Sequence, residues 1–336
     1  MTLPRHPFEA LVPDVVMDAL ASLGLYGDGR LQALSSYENR VYQVHLEDGQ
    51  AVVAKFYRPG RWRTEQIQEE HDFAAELVAA EVPVVAPLVL QGQTLHRFAG
   101  FDFSVSPRRG GRPPELDDDE VLEWIGRFLA RLHNVGAARG FEHRPALDLQ
   151  TFGQEPRQWL LEHEMIPLSE QSSWARECET ALALVAQHAD LASGTTSAAR
   201  LRLHGDCHAG NILWTPLEAP VAPGPHFVDL DDARMGPAVQ DLWMLLSGER
   251  AQRTYQLSCL LDGYEQLRPF ERRELALIEP LRTLRLIHYS AWLARRWDDP
   301  TFPINFPWFG TPDYWQGQVQ MLQDQIEVMQ ESPLLV

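Results

Sequence analysis

Cysteine is scarce in this 336-residue chain: Cys178, Cys207 and Cys259 make an odd number, without the paired spacings of zinc sites or disulfide frameworks. A disulfide-built secreted domain is excluded, and a reducing cytoplasm is the expected setting. No apolar run approaches the roughly 20 residues that span a bilayer. The opening MTLPRHPFEALVPDVV is broken by prolines and acids before a signal-peptide core can form, so no membrane partner is expected. Positive charge is also short. Against 47 Asp and Glu there are 29 Lys and Arg, a formal net charge of −18 that repels phosphate backbones, and nucleic acid is not an expected partner. The acidic excess would attract a basic peptide or amine substrate, but is read chiefly as a solvated surface, on a chain expected to be a monomer. No G-x-S-x-G, H-E-x-x-H or C-x-x-C occurs, so acyl-transfer and zinc chemistries lack their parts.

What is present belongs to a large folded chain: 45% hydrophobic and 23% charged residues supply a core and a solvated surface, which excludes disorder and low complexity. Apolar positions at helical spacing over 13–23 stop at Gly24 and the Gly-Asp-Gly of 27–29. From 31 to 57 the pattern is β, as LQALSS, RVYQVHL and AVVAKFY, with a turn at Glu47-Asp48-Gly49. Residues 64–80 read as an amphipathic helix ending ahead of Pro83. VVAPLVL, TLHRFAG and FDFSVSP are expected to complete a sheet of about five strands. The run Arg-Arg-Gly-Gly-Arg-Pro-Pro then punctuates the chain, giving an N-lobe over 1–107, a hinge linker over 108–115 and a helical C-lobe over 116–336. In that last part the acids at 117–119 cap a helix. Further helical patterns cover 155–165, 171–192, 239–247, 250–267, 271–297 and 313–331, between short strands near 200–203, 212–214 and 226–230. The expected fold class is α+β.

The chemistry is concentrated in LHGDCHAGNIL at 203–213 and HFVDL at 226–230, which set Asp206, Asn211 and Asp229 among short apolar strands. Phosphoryl transfer needs a carboxylate beside the attacking hydroxyl and oxygen ligands for a magnesium ion at the phosphates. An Asp, an Asn five residues on and an Asp ending the next hairpin strand supply those parts. A loop of ordinary turn formers is the plain alternative, harder to reconcile with the complete spacing. Lys55 stands inside AVVAKFY, where a lone charge is otherwise an edge or snorkelling residue.

The H-G-D-x-H-x-x-N loop and the strand-ending Asp resemble the aminoglycoside-phosphotransferase-like and choline-kinase-like branch of the protein-kinase-like fold, over nearly the whole chain. That resemblance implies a two-lobed fold, ATP as co-substrate and Mg2+. It makes Asp206 the catalytic base, Asn211 a metal ligand and Asp229 the second metal ligand of the catalytic centre, with His208 where eukaryotic kinases carry a loop Lys. It also gives Lys55 the α- and β-phosphates and a Glu partner from the next helix, Glu70 being expected and Glu69 close behind. The loop LSSYENRV at 34–41 would cover the nucleotide without a glycine, leaving phosphates to backbone N–H groups and to the hydroxyl of Ser35 or Ser36, of which Ser36 is the named contact. Backbone around Ser106 to Arg108 is the implied adenine contact. Asp241 is expected to accept hydrogen bonds from the catalytic-loop backbone and His204 to orient that loop. Asp231 and Asp232 could extend the metal site, but are expected to face solvent or cap the loop, and Cys207 is expected to be inert.

The stretches SYENRVYQV, FYRPGRW, FSVSPRRGGR and FVDLDDARMGP resemble bacterial stress-response serine/threonine protein kinases within that branch. They imply a protein Ser/Thr acceptor, the chain itself included by autophosphorylation. A kinase for a small hydroxyl compound, an amino alcohol or aminoglycoside, is the alternative, because the catalytic parts are shared and the segment after Asp229 is short. A non-catalytic scaffold is disfavoured by the intact Lys55, Asp206, Asn211 and Asp229. The aromatic-rich segment 292–315 is either a wall of the substrate cleft or packing of the C-terminal helices.

Overall fold

The computed structural model describes residues 6–191, 200–216 and 223–336; the first residues of the expected N-lobe and the last of the expected 171–192 helix lie outside them. In chain order the first elements are α1 (Pro13–Ala21), β1 (Gly27–Ala33), β2 (Arg40–Leu46), β3 (Ala51–Phe56), α2 (Thr64–Ala79), β4 (His96–Phe98) and β5 (Phe101–Pro107). Then come α3 (Asp119–Gly136), α4 (Glu155–Glu162), α5 (Leu168–Val185), β6 (Leu201–Leu203), β7 (Ile212–Thr215), β8 (Gly224–Phe227) and β9 (Arg234–Gly236). The chain closes with α6 (Gln240–Trp243), α7 (Arg250–Tyr264), α8 (Ile278–Ala294), α9 (Thr301–Asn305) and α10 (Pro312–Val328). Two compact units result. One comprises Met1–Pro114, Glu142–Arg144 and Ala209–Asp232, the other Glu115–Phe141, Pro145–His208 and Ala233–Val336.

The first unit is built on an antiparallel sheet in the order β1-β2-β3-β5-β4. Alternate strand residues Val44, Val52, Ala54, Phe56, Phe103 and Val105 face a core shared with Val16, Ala19 and Leu20 of α1, and Phe56 stacks on Phe103 at 5.2 Å. β1 begins at Gly27, earlier than the pattern suggested, because the Gly-Asp-Gly is an irregularity inside the strand rather than a stop. Gly29 takes a φ of +96°, which a residue with a Cβ resists. VVAPLVL is not a strand. Pro87 has no N–H to donate, and the segment makes single bonds instead, Val85 N–H to the Phe227 carbonyl at 3.0 Å and Leu88 N–H to that of Val105 at 2.7 Å. The β7–β8 hairpin belongs to this unit, held by Phe227 N–H to the Pro83 carbonyl at 2.8 Å and by Arg112 and Trp214, which exchange backbone bonds of 3.1 and 2.7 Å.

In the second unit α3 starts where the Asp118 carboxylate accepts the N–H groups of Glu120 and Val121. It packs closely on α7 through two glycines: a Cβ at Gly126 would collide with the Leu260 carbonyl, and one at Gly263 with that of Glu123. The pattern at 271–297 resolves into a 3-10 turn, Arg272–Leu277, running into α8. Pro280 has no N–H for the carbonyl at Ala276, so regular α-turns begin only at Ile278. β6 and β9, the latter unanticipated, pair as a two-stranded ribbon leading into the loop that carries Asp206.

Candidate active site

Six of the residues singled out above, Ser36, Lys55, Glu70, Ser106, Asn211 and Asp229, line one cleft of about 350 Å³ in the first unit. Its apolar walls include Val41, Val53, Ala74 and Leu213. Lys55 Nζ lies 2.9 Å from Asp229 Oδ1, 3.3 Å from Asp231 Oδ1 and 3.5 Å from Glu70 Oε1. Burial alone would discharge such an amine, but the three carboxylates outweigh it and hold the ammonium well above the usual lysine value. Burial in turn pushes the Glu70 carboxyl up, against the pull of Lys55. Lys55 is the one lysine in the sequence, every other residue of the 29 Lys and Arg being arginine. A compact ammonium with freely rotating donors suits a point among three carboxylates, where a planar guanidinium fork does not.

Of the two candidate glutamates, Glu70 is the one that reaches Lys55. Glu69 accepts the backbone N–H groups of Glu142, His143 and Arg144 at 2.6, 2.9 and 2.8 Å. Burial opposes its charge, yet these donors keep its carboxyl below the usual value.

Asn211 ends the turn Ala209–Asn211, and its carbonyl accepts the Val228 N–H at 3.0 Å, which sets it beside Asp229 across the β7–β8 hairpin. Asp229 holds a φ of +60°, a left-handed conformation uncommon outside glycine, and its side chain stays 51% exposed. Among the described residues no cluster of three or more His, Cys, Asp or Glu side chains could cage a metal. An ion here would take oxygens from Asn211 and Asp229 and fill its other positions with phosphate oxygens and water. Mg2+ is bound this way at triphosphates, so the donor set fits it.

Ser36 and Ser106 complete the cleft. Ser36 Oγ donates to the Asn39 carbonyl at 3.2 Å, and Ser106 pairs with Val53 across β5 and β3. Arg108 points elsewhere: its Nε donates to Gln43 Oε1 at 3.3 Å, and Arg109 is the arginine that lines the cleft.

Asp231 corrects the sequence reading, being buried rather than solvent-facing. It forms an ion pair with Arg61, whose Nη2 also binds Asp232 at 2.8 Å and whose Nη1 lies 3.5 Å from Glu38. Glu38 belongs to the glycine-free loop over the cleft. Arg58 holds the same loop: its N–H donates to Asn39 Oδ1 and its Nε to the Glu38 carbonyl, both at 3.0 Å, and Nε pairs with the Glu38 carboxylate at 2.9 Å. Two arginines of FYRPGRW thus fix a loop that lacks glycines of its own. Replacing Arg61 by Gln leaves Asp231 with Lys55 as its nearest side-chain cation, so Lys55 is drawn away from the cleft. The expected result is a loss of about 3–5 kcal/mol in urea unfolding, as for a broken buried ion pair, with a higher KM for ATP. Unchanged values of both would contradict this assignment.

In the second unit the Asp241 carboxylate accepts the N–H groups of His204 and Gly205, each at 2.8 Å, and lies 3.1 Å from His133 Nε2. Gly205, at a φ of +87°, makes the turn that follows, and His204 is buried beneath it. Asp206 then receives a 2.5 Å hydrogen bond from Arg285 Nη1 on Oδ1, while His208 Nε2 lies 3.5 Å from Oδ2. Cys207 is fully buried and its thiol is pushed well above the usual value by that burial, which makes it inert. The aromatic segment packs largely on itself, with Trp292 against Phe302 at 5.0 Å and Phe306 at 5.9 Å.

Arg58, Arg61 and Arg285 escaped the sequence reading, and the part Asp231 plays was misjudged. For the two arginines flanking Pro-Gly and for the acid two residues after Asp229 the signal was there; for Arg285, on a helix 79 positions from its partner, there was none.

These parts, a sheet with a lysine–glutamate pair, a hairpin bearing Asn and Asp, and a helical unit anchoring an Asp loop, define a phosphotransferase. Residues 30–278 match the phosphotransferase enzyme family, and the chain belongs to it. It is 47% identical over 327 residues to the stress response kinase A of Escherichia coli (strain K12) and, to the same extent, to the serine/threonine protein kinase RdoA of Salmonella typhimurium (strain LT2), covering 97% of this chain and 96% of each relative. Among solved structures it resembles an amicoumacin kinase in complex with AMP-PNP and Ca2+, with a TM-score of 0.70 at 19% identity, covering 97% of this chain and 96% of that one. A microcompartment-associated aminopropanol kinase gives 0.67 at 17%, covering 94% and 96%. The protein-kinase-like fold expected from the motifs is the fold observed. No helix among the described residues is long and apolar enough to cross a membrane.

Proposed function

We propose that this protein is an ATP- and Mg2+-dependent serine/threonine protein kinase of the bacterial stress response, acting in the cytosol and counting itself among its acceptors. The observation that carries the ATP reading is the setting of Lys55, a sole lysine held among Asp229, Asp231 and Glu70 in a cleft with apolar walls. The adenine would lie against Val41, Val53, Ala74 and Leu213, with the backbone around Ser106 to Arg108 at its edge and Ser36 near the phosphates. Lys55 would bind the α- and β-phosphates. Mg2+, held by Asn211 and Asp229, would neutralise charge on the phosphate oxygens. Asp206 accepts the proton of the acceptor hydroxyl as its oxygen attacks the γ-phosphorus; the bond from that phosphorus to the bridging oxygen breaks and ADP leaves. The choice of a protein acceptor is supported by the 47% identity to a relative named as a serine/threonine protein kinase, and the stress-response setting by one named stress response kinase A.

Incubation with γ-labelled ATP and Mg2+ is expected to label serine or threonine in the chain itself and in added protein acceptors. Label passing only to an amino alcohol or aminoglycoside would overturn the protein-kinase assignment, and no transfer to any of them would overturn the kinase reading.

A further inference from the structure

We infer that Arg285 sets the class of acceptor, favouring a hydroxyl in a neutral or acidic polypeptide segment over one with an ammonium group beside it. This rests on Asp206 being the base. Arg285 Nη1 lies 2.5 Å from Asp206 Oδ1, and both side chains keep access to solvent, at 40% and 23% exposed. The pair is therefore open to an incoming hydroxyl rather than sealed.

A hydroxyl that gives its proton to Asp206 must come within about 3 Å of the carboxylate. That places it roughly 5 Å from the guanidinium, and in an amino alcohol the ammonium, two carbons from the oxygen, falls in the same range. The ammonium also meets the Asp206 carboxylate, but with Arg285 paired to it that carboxylate's attraction is cancelled, which disfavours the ammonium on the order of tenfold or more relative to an unpaired Asp206, after allowance for solvent screening.

The helix that supplies Arg285 continues the theme. One and two turns on, Tyr289 and Trp292 follow at the spacing of one helical face and stack at 5.6 Å, and Arg296 lies over the Trp292 ring. The one acid of α8, Glu279, is engaged by Arg253 at 3.0 Å and Arg282 at 3.2 Å. So in a chain of net charge −18, the helix face that begins at Arg285 continues with aromatic rings and arginine and without an acid. Long-range attraction of basic acceptors by the net charge works the other way, but it is screened beyond about 8 Å at physiological salt. The roughly 5 Å between the guanidinium and an acceptor ammonium lies inside that length.

The test compares wild type, Arg285→Gln and Arg285→Lys on an acidic acceptor (casein), a basic one (histone) and ethanolamine, with KM for ATP measured alongside. Wild type is expected to favour casein over both others at least tenfold in kcat/KM. Arg285→Gln should bring that preference to within about threefold with KM for ATP unchanged, and Arg285→Lys should retain it. A wild-type preference for histone or ethanolamine, or a preference unmoved in Arg285→Gln, would overturn the inference. Asp206→Asn run in parallel separates the two readings: full turnover there removes the base assignment itself, whereas an inactive Asp206→Asn beside an unmoved preference removes only the role of Arg285.

Discussion

Asp206→Asn is expected to lower kcat for phosphoryl transfer by roughly 10³-fold while leaving ATP affinity within about threefold of wild type, because general base catalysis contributes on the order of 10²–10⁴. The amide keeps the size of the side chain and an oxygen for Arg285, so the geometry at the 2.5 Å contact has a substitute. What it lacks is a lone pair basic enough to take a proton. The loop itself is fixed from below by Asp241, through the backbone of His204 and Gly205, and does not depend on the charge at position 206. A drop in kcat with unchanged nucleotide affinity therefore separates chemistry from binding. Comparable losses in both would instead mean that the substitution had disturbed the loop.

The second large effect is expected at Asp229, where Asn is the cleaner replacement. Asp229 sits at a φ of +60°, which Asn tolerates better than Ala, so a change of charge is not confounded with a change of backbone. Losing the carboxylate leaves an uncharged amide oxygen in place of an anionic ligand, beside the equally uncharged one of Asn211. It also removes the nearest of the three anions around Lys55, at 2.9 Å. The two consequences have opposite signs. Affinity for ATP with Mg2+ is expected to fall at least tenfold, while affinity for metal-free ATP holds or rises slightly, since Lys55 is freer to meet phosphate. Calorimetric titration of ATP with and without Mg2+ measures both, and a mutant that still gains from Mg2+ as wild type does would exclude Asp229 as a ligand.

Local chemistry was readable in the sequence wherever neighbours along the chain act together. The Asp206 to Asn211 spacing, the strand-borne Lys55 and the helix at 64–80 are properties of short segments, and six separately chosen residues prove to line one cleft. The β-pattern at 84–90 misled because hydrophobic alternation says nothing of Pro87, which removes the donor a ladder needs. Gly-Asp-Gly at 27–29 misled in the opposite sense, since glycine marks a strand irregularity as readily as a stop. Asp231 looked like one acid among three, and only its burial against Arg61 and Lys55 separates it from Asp232. One unspent signal stood in plain view: a chain that uses arginine everywhere else keeps a lysine at position 55.

The most direct test of the account is a titration of Mn2+, standing in for Mg2+, followed by its paramagnetic resonance in the presence of AMP-PNP. Wild type is expected to immobilise the ion only when protein and nucleotide are both present, and Asn211→Ala and Asp229→Asn to lose that signal. Equal immobilisation in all three proteins would contradict it.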